Sequence, residues 1–231
     1  MMERYQVLRL VYPEQVLSLA VLAGKDGAVL VDCGYPGSLR QLEEALRGCG
    51  VALEELAGLV LTHQDDDHMG AAAELKAVCP RLRIYASAEE APHIEGVRKN
   101  LRLQQAEDLQ ERLPEEQRAW GEQFCRRLRA LRCVPVDVLV HNGDRFDWGG
   151  GCEIIATPGH TPGHISLRAL DNAYLITGDA AVVENGRLAV ANPGFCLNLE
   201  AAEQSLRRLE QYQCRRYLCC HGGIYEQEGY V

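Results

Sequence analysis

Four short apolar runs in this chain each break off into a polar cluster, and that repetition constrains the fold more than any other feature. GLVLT (58–62) runs into His63-Gln64-Asp65-Asp66-Asp67-His68. EIIAT (153–157) runs into Pro158-Gly159-His160, AYLIT (173–177) into Gly178-Asp179, and RYLCC (216–220) into His221. Segments with helical spacing lie before and between them, at 38–50, 70–78 and 199–212. Strands alternating with helices predict an α/β layered domain, in which the loops at one edge of the sheets gather into a site. Convergence of the four edges would bring together His63, Asp65, Asp67, His68, His160, Asp179 and His221. Imidazoles and carboxylates packed this densely repel one another and desolvate badly unless a cation sits among them. Four of one and three of the other suffice for two metal ions with open positions for water.

The first cluster has its own geometry. His63 and Asp65 are two apart in an extended loop, so their side chains point the same way. Asp67 and His68 fall in the first turn of the helix that follows, where the helix dipole favours a carboxylate. Two pairs with different directions suit two neighbouring ions better than one.

The rest of the chain fills in the frame. Residues 16–23 and 27–32 read as strands joined by the turn signal GKDG, and 81–87 and 164–170 as further strands. Residues 88–133 are rich in Glu, Gln, Arg and Leu at helical spacing. They predict two or three helices broken near Pro114, an insertion whose position places it over the mouth of the site. The chain has 231 residues, 47% of them hydrophobic, which suits one domain over 1–231 carrying that insertion. A net charge of −9 argues against nucleic acid and anionic membranes as partners and leaves a small-molecule substrate. The N-terminus lacks an apolar h-region, and the longest apolar stretch (16–24) is too short to span a bilayer. With these features, ten cysteines and no CxxC pair read as reduced thiols, so a cytoplasmic location is expected. Oligomeric state has no readable signal.

VDCG at 31–34, the cluster at 63–68, TPGHTPGH at 157–164, TGD at 177–179 and the late His221 occur in an order and placement that resemble the metallo-β-lactamase fold superfamily. The resemblance is to its glyoxalase II and lactonase-like branch and covers nearly the whole chain. It implies a four-layer αββα sandwich: two mixed β-sheets flanked by helices. It also implies roles. His63, Asp65 and His160 would hold a first metal, Asp67, His68 and His221 a second, and Asp179 would bridge both. In TPGHTPGH the implied ligand is His160 rather than His164.

One departure stands out. The family usually carries histidine where this chain has Asp65. A carboxylate still binds zinc, but it exchanges a borderline nitrogen for a hard, charged oxygen and moves preference toward iron or manganese. The expected cofactors are therefore two divalent metal ions, zinc first, with iron or manganese admitted by Asp65. Aspartate at 179, where the best-known β-lactamase subclass has cysteine, points to lactones, thioesters or phosphodiesters. The run Asp179-Ala-Ala-Val-Val lacks the tyrosine that lactonase relatives often place there.

The function expected is hydrolysis by a metal-bound hydroxide at a dinuclear site, cleaving an ester, thioester, lactone or phosphodiester, with Asp67 orienting the water and taking its proton. Two alternatives belong to other classes: a mononuclear iron oxygenase of the persulfide dioxygenase type, and a non-catalytic metal-binding sensor. Other residues carry structural readings. Asp32 supports the metal loop from a turn, His164 supports the neighbourhood of His160, and Asp66 faces solvent or caps a helix. Cys219 and Cys220 pack, Trp120 and Phe124 form the packing face of the insertion, and His93 and His141 have no assigned role.

Overall fold

A computed structural model describes residues 3–227. Two six-stranded sheets form its centre. The first runs β1 (Tyr5–Val11), β2 (Val16–Gly24), β3 (Gly27–Val31), β4 (Leu56–Val60), β5 (Arg83–Ser87) and β6 (Val138–Val140), each beside the next. β1 to β3 pair antiparallel and β3 to β6 parallel. The second sheet is built from β7 (Arg145–Phe146), β8 (Cys152–Ala156), β9 (Ile165–Ala169) and β10 (Leu175–Gly178). After a small ribbon of β11 (Val182–Glu184) and β12 (Arg187–Ala189), it is completed by β13 (Arg216–Cys219) and β14 (Gly223–Glu226). Its spatial order is β14-β13-β10-β9-β8-β7, with β10 and β13 parallel.

The sheets face one another across an apolar layer. Leu22, Val29, Val31 and Val60 from the first meet Ile154, Leu167, Ile176 and Leu218 from the second. Helices α1 (Leu39–Gly48), α2 (Asp66–Met69) and α3 (Ala72–Val78) cover the outer face of the first sheet. Leu42, Leu46, Met69 and Leu75 pack there on Leu30, Leu59 and Ile84. The insertion follows as α4 (Ala91–Ile94), α5 (Leu101–Gln110) and α6 (Glu115–Arg129), and α7 (Leu199–Gln211) closes the outer face of the second sheet through Leu209 against Leu175 and Tyr217. The result is the four-layer αββα arrangement. β4 shows why its sequence is one unbroken apolar run. Leu59 faces the helices while Val60 faces the other sheet, so both faces are buried.

The expected elements appear close to their expected bounds. GKDG makes the β2–β3 turn, with Gly24 opposite Gly27. Pro114 caps α6, which is where the insertion was expected to break. Asn100 caps α5 by accepting from the Leu103 N–H at 2.9 Å. Strands β1, β6, β7 and β14 and the ribbon were not anticipated. All ten cysteines are free thiols. Among the described residues no helix is long and apolar enough to cross a membrane.

Candidate metal centre

The topology delivers the four polar clusters to one edge. β3 and β4 run parallel, so Asp32 and the loop after Val60 leave side by side. β10 and β13 run parallel in the facing sheet and release Asp179 and His221. His160 arrives on the loop between β8 and β9. All seven residues singled out from sequence meet here.

They form two corners joined by one carboxylate. In the first, one donor atom each of His63, Asp65 and His160 lie within 4.8 Å of one another. Asp65 Oδ2 is 3.1 Å from His160 Nε2 and 3.5 Å from His63 Nε2. In the second, donor atoms of His68, Asp179 and His221 fall in an equally tight group, and Cys220 joins them. Asp67 Oδ2 sits 3.2 Å from His221 Nε2 and 3.8 Å from His68 Nε2. Asp179 reaches both corners. Its Oδ1 is 3.2 Å from His68 Nε2, and its Oδ2 is 3.6 Å from His160 Nε2. The thiol of Cys220, read from sequence as packing alone, is therefore in reach of the second corner. Burial holds it protonated, far above the usual thiol range.

Neighbouring groups fix which ring nitrogen faces inward. Asp32, held at φ 60°, accepts from the Thr62 N–H and Thr62 Oγ1 at 2.8 Å each. Its Oδ2 also accepts from His68 Nδ1 at 2.8 Å. Thr62 Oγ1 has given its proton to Asp32, so it accepts from His63 Nδ1 at 3.0 Å. Both imidazoles thus turn Nε2 into the site, the arrangement that outer carboxylates and hydroxyls impose on metal-binding histidines. His164 plays the supporting part expected of it. Its Nδ1 donates to Thr157 Oγ1 at 2.8 Å, and its Nε2 accepts from the Asp179 N–H at 2.9 Å. Burial and the neighbouring rings His63 and His160 keep its pKa well below the usual histidine range, which suits that acceptor role. The turn needs Gly178, at φ 54°: a Cβ there would lie 2.7 Å from His164 Nε2.

A divalent cation fits these residues. His63 Nε2, Asp65 Oδ1, His68 Nε2, Asp179 Oδ1 and His221 Nε2 are all buried and make no hydrogen bond. Each such atom costs about 1–3 kcal/mol when left without a partner. Three of them, on His68, Asp179 and His221, meet in the second corner, which is what a cation there relieves. The charges agree. Burial works against ionisation of Asp179, yet His68 and His221 outweigh it and hold its pKa well below the usual carboxylate range. Burial likewise opposes charge on His68 and His221, and the carboxylates of Asp179 and Asp67 overcome it and raise both.

The helical segment 88–133 adds a group that had not been foreseen. Arg102, on the first turn of α5, is buried, and its Nε and Nη2 donate to Asp65 Oδ2 at 2.9 and 2.7 Å. Nη2 also approaches His160 Nε2 at 3.0 Å. The register of α5 explains its position. Gln64 Oε1 accepts from the Leu101 N–H at 2.7 Å, and Asn100 Nδ2 donates to the Gln64 carbonyl at 2.9 Å. Glu90 Oε2 in turn accepts from the Gln64 N–H and Nε2 at 3.1 Å each. The residue beside Asp65 is thus tied to the start of α5, and Arg102 lands on Asp65. Nothing local to Arg102 marks it as buried; the one hint in the sequence is the extra carboxylate at 65, which calls for a cation.

Asp66 departs from expectation. It is buried rather than facing solvent, and its Oδ2 pairs with Arg127 Nε of α6 at 2.8 Å. Burial, with Asp67 beside it, pushes its pKa up to about 7. The aromatic pair on α6 also does more than pack. Trp120 and Phe124 stack with centroids 5.5 Å apart, but Trp120 is 54% exposed. Phe124, Phe195 and Tyr35 wall a cleft of about 180 Å³ whose floor holds Asp67, Asp179 and His221.

Comparison with known proteins agrees with this architecture. The sequence profile described as "Metallo-beta-lactamase superfamily" matches residues 11–221. The chain is 30% identical over 218 residues to "Probable metallo-hydrolase YflN" of Bacillus subtilis, covering 84% of this chain and 75% of that protein. It is 26% identical over 164 residues to a protein named hydroxyacylglutathione hydrolase from Yersinia pestis, covering 70% of this chain but 46% of that protein. Among solved structures, a metallo-beta-lactamase family protein from Thermus thermophilus superimposes with a TM-score of 0.70 at 21% identity, over 96% of this chain and 75% of that one. The chain belongs to the metallo-beta-lactamase superfamily.

Proposed function

We propose that this member of the superfamily is a metal-dependent hydrolase that cleaves an ester, thioester, lactone or phosphodiester bond in a small molecule. The observation that carries the reading is the set of five buried, hydrogen-bond-free donor atoms linked by Asp179, three of them on residues that line an open cleft. The chemistry supplied by a bound divalent ion is Lewis-acid chemistry: acidification of a water and polarisation of the bond to be cleaved. His68, His221, Asp67 and Asp179 are the donors of the second corner, and His63, Asp65 and His160 those of the first.

The chain's own groups do the rest. Asp67 faces the cleft and accepts the proton of the attacking water. Asp179 spans both corners and keeps the imidazoles on either side in register. Tyr35 takes a hydrogen bond from Gln15 Nε2 at 2.5 Å, so its own proton is free to be donated to an oxygen developing charge in the cleft. Phe124 and Phe195 give the substrate an apolar wall. The narrow cleft and the acidic chain favour a small molecule over a nucleic acid, and the similarity to a protein named hydroxyacylglutathione hydrolase favours an acyl substrate. An oxygenase of the persulfide type would rest on the first corner, where Arg102 already stands, so hydrolysis is the stronger reading.

The test is a substrate panel of p-nitrophenyl esters, S-acyl thioesters, lactones and bis(p-nitrophenyl) phosphate, offered to metal-loaded protein and to protein stripped with chelator. Turnover of one class that chelation abolishes and His68→Ala removes is expected. Metal-loaded protein inert toward all four classes would sink the hydrolase reading and leave a metal-binding sensor.

A further inference from the structure

We propose that Arg102 is the resident cation of the corner formed by His63, Asp65 and His160. The folded chain then holds one divalent ion, in the corner formed by Asp67, His68, His221 and Asp179. It gains a second binding place only when Arg102 is removed. The inference rests on the metal reading above and deepens it.

Position is the first argument. Arg102 Nη2 is 2.7 Å from Asp65 Oδ2 and 3.0 Å from His160 Nε2. A guanidinium nitrogen this close stands on the side of the His160 ring from which a metal would have to approach Nε2. A metal–nitrogen bond is about 2.0–2.1 Å long, so guanidinium and ion cannot share these two atoms. Arginine does not escape the conflict, because a guanidinium stays charged in proteins.

Arg102 is also held in place. Its Nη1 donates to the Phe195 carbonyl at 2.5 Å and to Gln105 Oε1, and its guanidinium lies 5.0 Å from the Phe195 ring centre. The backbone beneath it is fastened by the Gln64–Leu101 and Asn100–Gln64 bonds described above. Moving Arg102 aside breaks several charge-assisted contacts in a buried place.

Charge is the third argument. Asp65, Asp67 and Asp179 bring three negative charges to the site. One guanidinium and one divalent ion balance them. Among the described residues no guanidinium contacts the second corner, and Arg127 is spent on Asp66. The first corner still keeps His63 Nε2 and Asp65 Oδ1 without hydrogen bonds, which is the space a second ion would use once Arg102 is gone.

The experiment is metal stoichiometry by mass spectrometry on full-length protein loaded with excess zinc and desalted, alongside Mn²⁺ loading read by electron paramagnetic resonance. The wild type is expected to hold one ion per chain, with the spectrum of an isolated Mn²⁺. Arg102→Met, purified with metal present, is expected to hold two, with the spectrum of a coupled pair. Should that variant fail to fold, two others locate the wild-type ion: His160→Ala should keep it and His68→Ala should lose it. Two ions in the wild type, one ion in both wild type and Arg102→Met, or loss of the ion in His160→Ala would each overturn the role given to Arg102 while leaving the metal reading intact. No ion in the wild type after loading would overturn the metal reading itself, and the inference with it.

Discussion

The two corners of the site are built from the same kinds of side chain and differ in that a guanidinium, Arg102, stands in the first. In the first, burial works against ionisation of Asp65, but Arg102 overcomes it and holds the carboxylate well below its usual range. In the second, burial again works against charge, and it is protons on His68 and His221 that the carboxylates retain. A guanidinium is part of the chain and cannot leave. A proton exchanges readily for a metal ion. The comparison teaches that a cluster of metal-binding residue types is not by itself a count of metal ions; the count depends on which positive charges the fold has already supplied.

The sharpest break in that comparison is removal of Arg102 without metal. Arg102→Met should destabilise the metal-free protein by about 3–5 kcal/mol, because it leaves Asp65 buried and uncompensated. Urea unfolding in the presence of chelator measures this, and added zinc should restore most of the loss. A cost under about 1 kcal/mol would mean that water already reaches Asp65. The next largest effect belongs to the second corner. Asp32→Ala frees His68 Nδ1 and should weaken metal affinity about 10–100-fold, read by competition with a chromophoric chelator. Unchanged affinity would show that His68 is oriented by something other than Asp32.

A smaller effect comes from pH. His68 and His221 have raised pKa values in the metal-free fold, so an entering ion must displace their protons. Affinity should climb by up to about tenfold per pH unit for each proton displaced. Metal-free stability should move the other way. The stabilisation tied to those protons is complete below the unfolded histidine value near 6.5 and is lost as pH rises through the raised values. Chemical unfolding between about pH 6 and 9, with and without zinc, separates the two trends; a metal-free protein that gains stability over this range would contradict the assignment. The smallest effect is reserved for the rim. Trp120→Ala should change stability by no more than about 0.5 kcal/mol, since the ring is largely exposed, while any shift in KM would report an effect passed to the cleft wall through Phe124, on which Trp120 stacks.

Much of the scaffold was legible because its signals are local. β4, β8, β10 and β13 each declare themselves by an apolar run and a polar stop, and the seven converging residues follow from those stops together with a family resemblance. β1, β7 and β14 lie at sheet edges, each paired on one side only and so weakly patterned, and β6 and the ribbon are three residues per strand, too short for a period to show. Asp66 was misread because the middle one of three consecutive carboxylates looks like surface. Its partner Arg127 is supplied by α6, and no spacing rule connects them. Arg102 escaped for the same reason: it meets Asp65 across 37 residues of sequence. A helical arginine is ordinarily solvated.

The tie from Gln64 to the start of α5 has a consequence for anyone who would re-engineer this chain. Insertions over active sites are attractive units to exchange between relatives when a new specificity is wanted. Here the exchange would remove Arg102 and Asn100 together, leaving Asp65 with no countercharge and Gln64 with no anchor. A chimera that imports a foreign insertion would have to import the residue at 65 from the same donor; the two segments are inherited as one part.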